Sequence, residues 1–257
     1  MEASFWHQRW ESNQIGFHGS TAHPLLVKHF QTLEVPEGSR IFLPLCGKTR
    51  DIAWLLSQGY AVAGAELSEI AITQLFEELQ LSPHITDLGK LKHYQALKID
   101  IFVGDIFDLS AEKLDPVDGV YDRAALVALP AAIRQQYTQH LRKITQQAPQ
   151  LLICFEYDQQ KMEGPPFSIA DSEVQQHYDD HYHLELLETV PLLRLAVLRQ
   201  VERQPNPRLA AVDDLVPVRR PVQGPGVPLG QAGSDPPRQE VLVGIHSVAR
   251  ATSGRVG

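Results

Sequence analysis

Between residues 41 and 157 short apolar runs alternate with helical patterns, and this alternation constrains the fold more than any other feature of the chain. Residues 41–45 (IFLPL) read as a buried strand. Residues 49–58 space Ile52, Ala53, Leu55 and Leu56 as one helix face and stop at Gly59, a residue suited to a helix C-terminus. A second strand covers 60–66, and Ser68 can cap a helix over 69–79. Further strands are expected at 100–104, 119–122 and 151–157, with a helix at 130–147 between the last two. Strands separated by helices imply parallel βαβ units, so the expected fold class is α/β: a mostly parallel sheet with helices on both faces.

Such sheets bind ligands beyond the carboxyl ends of their strands. Four expected strand ends carry polar or unusual residues: Leu45-Cys46-Gly47, Glu66, Asp105-Ile106 and Asp122-Arg123. Glu66 stands 19 residues after Gly47, where a carboxylate can accept from both hydroxyls of a ribose. Its plainer alternative is a strand-end carboxylate capping the next helix. Asp105 could accept from an adenine amino group with Ile106 against the base, or serve only as a turn residue. Arg123 could meet a ligand or be held in a structural pair with Asp122 or Glu66. The first loop has one glycine where a pyrophosphate-binding loop has three, and no G-x-x-x-x-G-K-[ST] loop exists. A nucleoside cofactor without phosphates, such as S-adenosylmethionine, suits this loop better than a nicotinamide dinucleotide, which stays open.

Several segments resemble the thiopurine S-methyltransferase family, especially its bacterial members. They are FWHQRW and IGFH within 5–18, FLPLCGKTRDIAWL at 42–55, VAGAELSEIAI at 62–72, VGDIFDL at 103–109, YDRAALVAL at 121–129 and GPPFSI at 164–169. They occur in family order over about residues 1–190. The resemblance implies a Rossmann-like class I methyltransferase fold and S-adenosyl-L-methionine as cofactor. By position it implies Trp10, Leu45, Glu66, Asp105, Ile106 and Arg123 as cofactor contacts. The activity implied is methyl transfer to the sulfur of aromatic or heterocyclic thiols, with selenium or tellurium compounds as further acceptors. A cofactor-binding relative that has lost turnover is the alternative.

Within that frame Arg123 is the catalytic candidate, because a cation there could favour the thiolate form of the acceptor. Phe17 and Phe167 are candidates for the substrate wall. Phe5, Trp6, Trp10 and Phe17 make the N-terminus aromatic enough to act as a lid, and an indole near a sulfonium is favoured by cation–π attraction. Cys46 and Cys154 both lie in apolar runs and read as buried, reduced thiols, which fits a cytoplasmic protein. His177, His181 and His183 lack a third ligand of clear type, so no metal is expected. The N-terminus has no signal-peptide pattern and no run is long enough to span a membrane. A formal charge of −8 argues against nucleic acid. The expected partner is a small aromatic thiol, and the expected state a monomer.

Composition changes near Pro191. All eight lysines lie at or before Lys161, whereas residues 192–257 hold nine arginines, eight prolines and no Phe, Trp, Tyr, Cys or Met. We therefore divide the chain into a methyltransferase domain at 1–190 and an atypical tail at 191–257 that is expected to be poorly ordered. The closing C-terminal hairpin that the resemblance implies is therefore expected to be absent, with an edge exposed beside the 151–157 strand. Two runs, 193–197 (LRLAV) and 241–245 (VLVGI), alternate like half-buried strands and could substitute for it.

Overall fold

The computed structural model describes residues 3–16, 18–191 and 242–250. Among the described residues nine strands form one sheet in the order β3-β4-β5-β2-β1-β6-β7-β9-β8. They are β1 (Arg40–Leu43), β2 (Ala61–Glu66), β3 (His84–Asp87), β4 (Lys92–Ala96), β5 (Ile99–Val103), β6 (Gly119–Arg123), β7 (Gln150–Glu156), β8 (Tyr182–Pro191) and β9 (Leu242–Arg250). The five central strands pair in parallel. Strands β3, β4, β8 and β9 are antiparallel additions at the two edges.

The helices are α1 (Ala3–Glu11), α2 (Pro24–His29), α3 (Arg50–Ser57), α4 (Glu69–Glu78), α5 (Ala111–Leu114), α6 (Ala131–Ile144) and α7 (Asp171–Tyr178). Strand side chains alternate between faces, so each strand feeds two cores. Ile41, Leu43 and Ile101 face the layer containing Leu26, Ile52 and Ile72 from α2, α3 and α4. Phe42, Phe102 and Leu152 face the opposite layer, with Tyr137 and Leu141 from α6 and Val174 from α7. The α/β class and the helices on both faces agree with the sequence reading.

Strand order runs from β1 outward to β2 and β5 on one side and to β6 and β7 on the other. That reversal opens a crevice at the carboxyl ends of β1, β2 and β6. Thr49 caps α3 by accepting from the Asp51 amide, and Ser68 caps α4 by accepting from Ala71. Both caps aim helix N-termini at this edge.

The closing antiparallel strands, expected from the tail's composition to be absent, are present: the alternating run at its end docks on β7. β9 pairs with β7 from Gln150↔Val248 to Glu156↔Leu242, and with β8 along its other side. Ile245 is fully buried in one core, and His246 lies 3.7 Å from Asp171 on α7. The run expected at 241–245 thus falls largely within β9. The run at 193–197 lies outside the described residues.

Candidate functional site

Chain direction reverses sharply after β1. Leu45 and Gly47 both adopt left-handed backbone, at φ 46° and 51°. A leucine in that region is costly and tends to persist where function requires it. The turn is held from β2: the Cys46 amide donates to the Ala65 carbonyl at 3.0 Å, and the Gly47 amide to Glu66 Oε2 at 2.8 Å. Gly64 permits this approach, since a Cβ there would lie 3.0 Å from Cys46 Sγ and 2.7 Å from Ile101.

Glu66 is only 6% exposed. Its other oxygen accepts from the Ser68 amide at 2.9 Å. Burial pushes its carboxyl up, and the Ser68 and Gly47 amides offset only part of that. Each oxygen spends one lone pair on the backbone and keeps capacity for a hydroxyl donor. Glu66 therefore caps its own loop, as the plainer alternative supposes, and still fits a ribose. The Glu66 carbonyl also accepts from Gly104, which brings the β5 end alongside. There Asp105 is exposed and accepts from the Phe107 amide at 3.0 Å, so the turn role is filled as well. Ile106 is buried, and its carbonyl pairs with His140 of α6 at 2.8 Å.

On the other flank Arg123 ends β6. Its Nε donates to Asp51 Oδ2 at 2.7 Å and its Nη2 to Thr49 Oγ1 at 2.7 Å. The expected alternatives, a pair with Asp122 or Glu66, give way to Asp51 of α3. The reason is geometric: Asp122 points to the opposite sheet face, where it accepts from Tyr137. Burial works to raise the Asp51 carboxyl, but Arg123 and then His23 outweigh it and hold it below the ordinary value. Sequence reasoning missed Asp51. A carboxylate in the first turn of a helix facing the site was the available signal.

Trp10, 4% exposed, packs its indole against Gly47, where an added Cβ would come within 3.1 Å of the ring. The structure thus gathers Trp10, Leu45, Glu66 and Arg123 around the β1 turn, with Asp105 and Ile106 adjoining through β5. Phe167 sits apart, on the loop after β7: its amide donates to Val127 at 2.6 Å and its ring lies 5.4 Å from the Arg134 guanidinium. That loop flanks the segment following Arg123. Phe17 lies outside the described residues. A cleft of about 390 Å³ opens beside the start of α4, lined by Leu67, Ser68, Val103, Lys90 and His7; it adjoins the Glu66 end without including Glu66 or Arg123.

Cys46 is buried, and burial and then Glu66 push its thiol well up, which disfavours a nucleophilic role. His177 lies on α7, 3.3 Å from Glu173, while His181 and His183 are exposed beyond it. Among the described residues no three His, Cys, Asp or Glu side chains group to hold a metal ion.

The family model for thiopurine S-methyltransferase matches residues 1–205. The chain belongs to the thiopurine S-methyltransferase family. A thiopurine S-methyltransferase of Xanthobacter autotrophicus is 53% identical over 193 residues, 75% of this chain and 91% of that protein. One from Acinetobacter baylyi is 51% identical over 191 residues, 73% and 88% of the two chains. Solved structures with a similar fold include a 1,6-didemethyltoxoflavin-N1-methyltransferase of Burkholderia thailandensis. It is 12% identical, covers 97% of this chain and 87% of its own, and has a TM-score of 0.56. An S-adenosylmethionine-dependent methyltransferase of Anabaena variabilis covers 96% and 95% at 14% identity, with a TM-score of 0.53. Family membership makes this chain an S-adenosylmethionine-dependent methyltransferase, and the Rossmann-like class I fold agrees with it. Strand β9 lies beyond the family-matched residues.

Proposed function

We propose that this chain transfers a methyl group from S-adenosylmethionine to the sulfur of an aromatic or heterocyclic thiol. The observation that carries the reading is the convergence of Leu45, Glu66 and Arg123 on the β1 turn, under Trp10. S-adenosylmethionine, when bound, supplies an electrophilic methyl on a sulfonium. The residues that would hold it are Glu66, for the ribose hydroxyls, and Ile106 and Asp105, for the adenine face and amino group. The backbone at Leu45 and Gly47 would meet its amino-acid end, and the Trp10 indole beside Gly47 would favour the cation. The remaining work is alignment and exclusion of water. Arg123 stabilises the thiolate by its charge, so no dedicated base is needed for an acidic thiol. Phe17 and Phe167 form the acceptor wall, and selenium or tellurium compounds are further acceptors to test.

The protein acts as a monomer in the cytoplasm on a small molecule, without nucleic acid or membrane. Two free, buried cysteines and the negative charge support this. Among the described residues no helix is long and apolar enough to cross a membrane. Residues 1–190 form the methyltransferase domain, and the 191–257 tail contributes β9, inserted between β7 and β8. The alternative, a relative that binds cofactor without turnover, rests on that tail's composition. Calorimetry with S-adenosylmethionine followed by a methylation assay with an aromatic thiol separates them. Binding with turnover supports the proposal, binding without turnover supports the alternative, and absence of binding rejects both.

A further inference from the structure

We infer that Asp51 is a positioning residue for methyl transfer, acting through Arg123. The inference rests on the function proposed above and adds a residue that the strand-end reading did not contain. Asp51 lies in the first turn of α3, two residues after the Thr49 cap, where the helix N-terminus favours a negative charge. It is 1% exposed, and both of its oxygens accept. Oδ1 takes the His23 amide at 2.6 Å. Oδ2 takes the Tyr121 hydroxyl at 3.2 Å and Arg123 Nε at 2.7 Å. Thr49, from the same helix end, takes Arg123 Nη2. Two bonds from one planar fork fix the plane of the guanidinium.

Arg123 keeps only 17% of its side chain exposed, so Asp51 and Thr49 replace water that burial has taken from the guanidinium. An untethered arginine would sample many rotamers, and the field at the acceptor sulfur would vary with them. Tethering pre-organises that charge before the acceptor arrives. The other oxygen has a second consequence. His23 starts α2, just after the N-terminal segment that carries Trp10. One carboxylate therefore fixes both the root of that segment and the cation on the far side of the turn. The Asp51 contacts do not reach Glu66 or the β5 end, so removing Asp51 should impair transfer far more than cofactor affinity.

The test is a double-mutant cycle with the full chain: wild type, Asp51→Ala, Arg123→Ala and the double variant. Steady-state methylation of an aromatic thiol and calorimetry with S-adenosylhomocysteine are measured for each. Asp51→Ala should lower kcat by about 10–100-fold, with a clearly smaller fold-loss of S-adenosylhomocysteine affinity. The double variant should match Arg123→Ala within about threefold, because one residue works through the other. Multiplicative losses, a wild-type kcat, or cofactor affinity falling in step with kcat would overturn the inference. If Asp51→Ala does not fold, Asp51→Asn keeps the volume. An amide cannot accept on both sides, so the same loss of kcat is expected. If wild type binds S-adenosylhomocysteine but methylates no thiol, the acceptor proposed above fails by itself. The tether is then read from the Arg123 Nε–H NMR signal, assigned by its absence in Arg123→Lys. Its loss in Asp51→Asn supports the inference, and an unchanged signal rejects it.

Discussion

Asp122 and Arg123 are neighbours at the end of β6, yet they belong to two different regions of the molecule. Asp122 pairs across the sheet with Leu152 and faces the core of α6, where it accepts from the Tyr137 hydroxyl at 2.7 Å and the Leu126 amide at 3.2 Å. Arg123 faces α3 and is bound to Asp51 and Thr49. One side chain is sealed and the other keeps a route to solvent. Strand alternation alone produces the split. The difference teaches that a charged residue at a strand's carboxyl end has its role set by the face it takes. Only the α3 face adjoins the β1 turn.

The largest effect should come from breaking the open side. Arg123→Ala should slow methyl transfer to an aromatic thiol by about 100-fold or more, as expected when a pre-organised donor is lost. It should also cost about 3 kcal/mol of stability, because Asp51 is left buried beside an absent partner. Urea denaturation checks the second part. Unchanged stability would mean that His23 and Tyr121 suffice to hold the Asp51 carboxylate.

The sealed side should show itself through pH. Burial raises the Asp122 carboxyl from 3.8 to about 6, against partial offsets from Tyr137 and the Leu126 and Ala125 amides. Between those values the unfolded chain has released this proton and the folded chain still holds it. Stability from this group therefore falls as pH rises, by about 3 kcal/mol over the interval. Asp122→Asn removes the titration, so the stability of wild type relative to Asp122→Asn should drop by about that amount between pH 3.5 and 6.5. Asp51 has the opposite sign. Its folded carboxyl is held low, so its contribution exists above the unfolded value and is lost as pH falls. Chemical denaturation across pH, run on Asp122→Asn and Asp51→Asn, should give differences of opposite slope. Equal slopes would refute the division between the two faces.

A third comparison sets Glu66 against Asp122, two buried carboxylates at ends of the same sheet. Glu66→Gln should weaken S-adenosylhomocysteine binding by about 10–100-fold through loss of a charge-assisted ribose contact. Asp122→Asn should leave that affinity within about threefold, since its partners are internal. Calorimetry on both variants decides whether burial or orientation marks the binding carboxylate.

The central fold was legible because parallel strands buried on both faces are apolar and bounded by clear caps, such as Thr49 and Ser68. Glu66 and Arg123 were legible because they follow such strands directly. The edges were not. β3 (HITD) is exposed along its length and β4 (KHYQA) buries only Tyr94, and neither carries the apolar alternation that marks a strand. β9 was half legible: residues 241–245 alternate as a strand does, but the proline and arginine content of the tail around them points away from packing. The HYDDHYH stretch, read as a helix face, divides between α7 and β8. Asp51 was missed for a different reason. Its role depends on a partner 72 residues away, and local pattern is silent about that distance.

The smallest effect concerns the turn on which the open face depends. Gly47 has φ 51°, and a Cβ there would meet the Trp10 ring at 3.1 Å. Gly47→Ala should cost about 1 kcal/mol from the left-handed backbone alone. Leu45 already tolerates a similar conformation two residues earlier, so the turn itself should survive. What distinguishes the site is the indole. If Trp10 is part of a lid that orders over the cofactor, hydrogen exchange in residues 5–20 should slow when S-adenosylhomocysteine binds wild type. In Gly47→Ala the gain in protection should shrink, with affinity reduced a few-fold, because the ring is held a few tenths of an ångström off its seat. Equal protection with and without saturating ligand in wild type would make α1 a permanently packed helix. The indole would then be a fixed wall of the crevice, and only the strand ends and Arg123 would be left to respond to ligand.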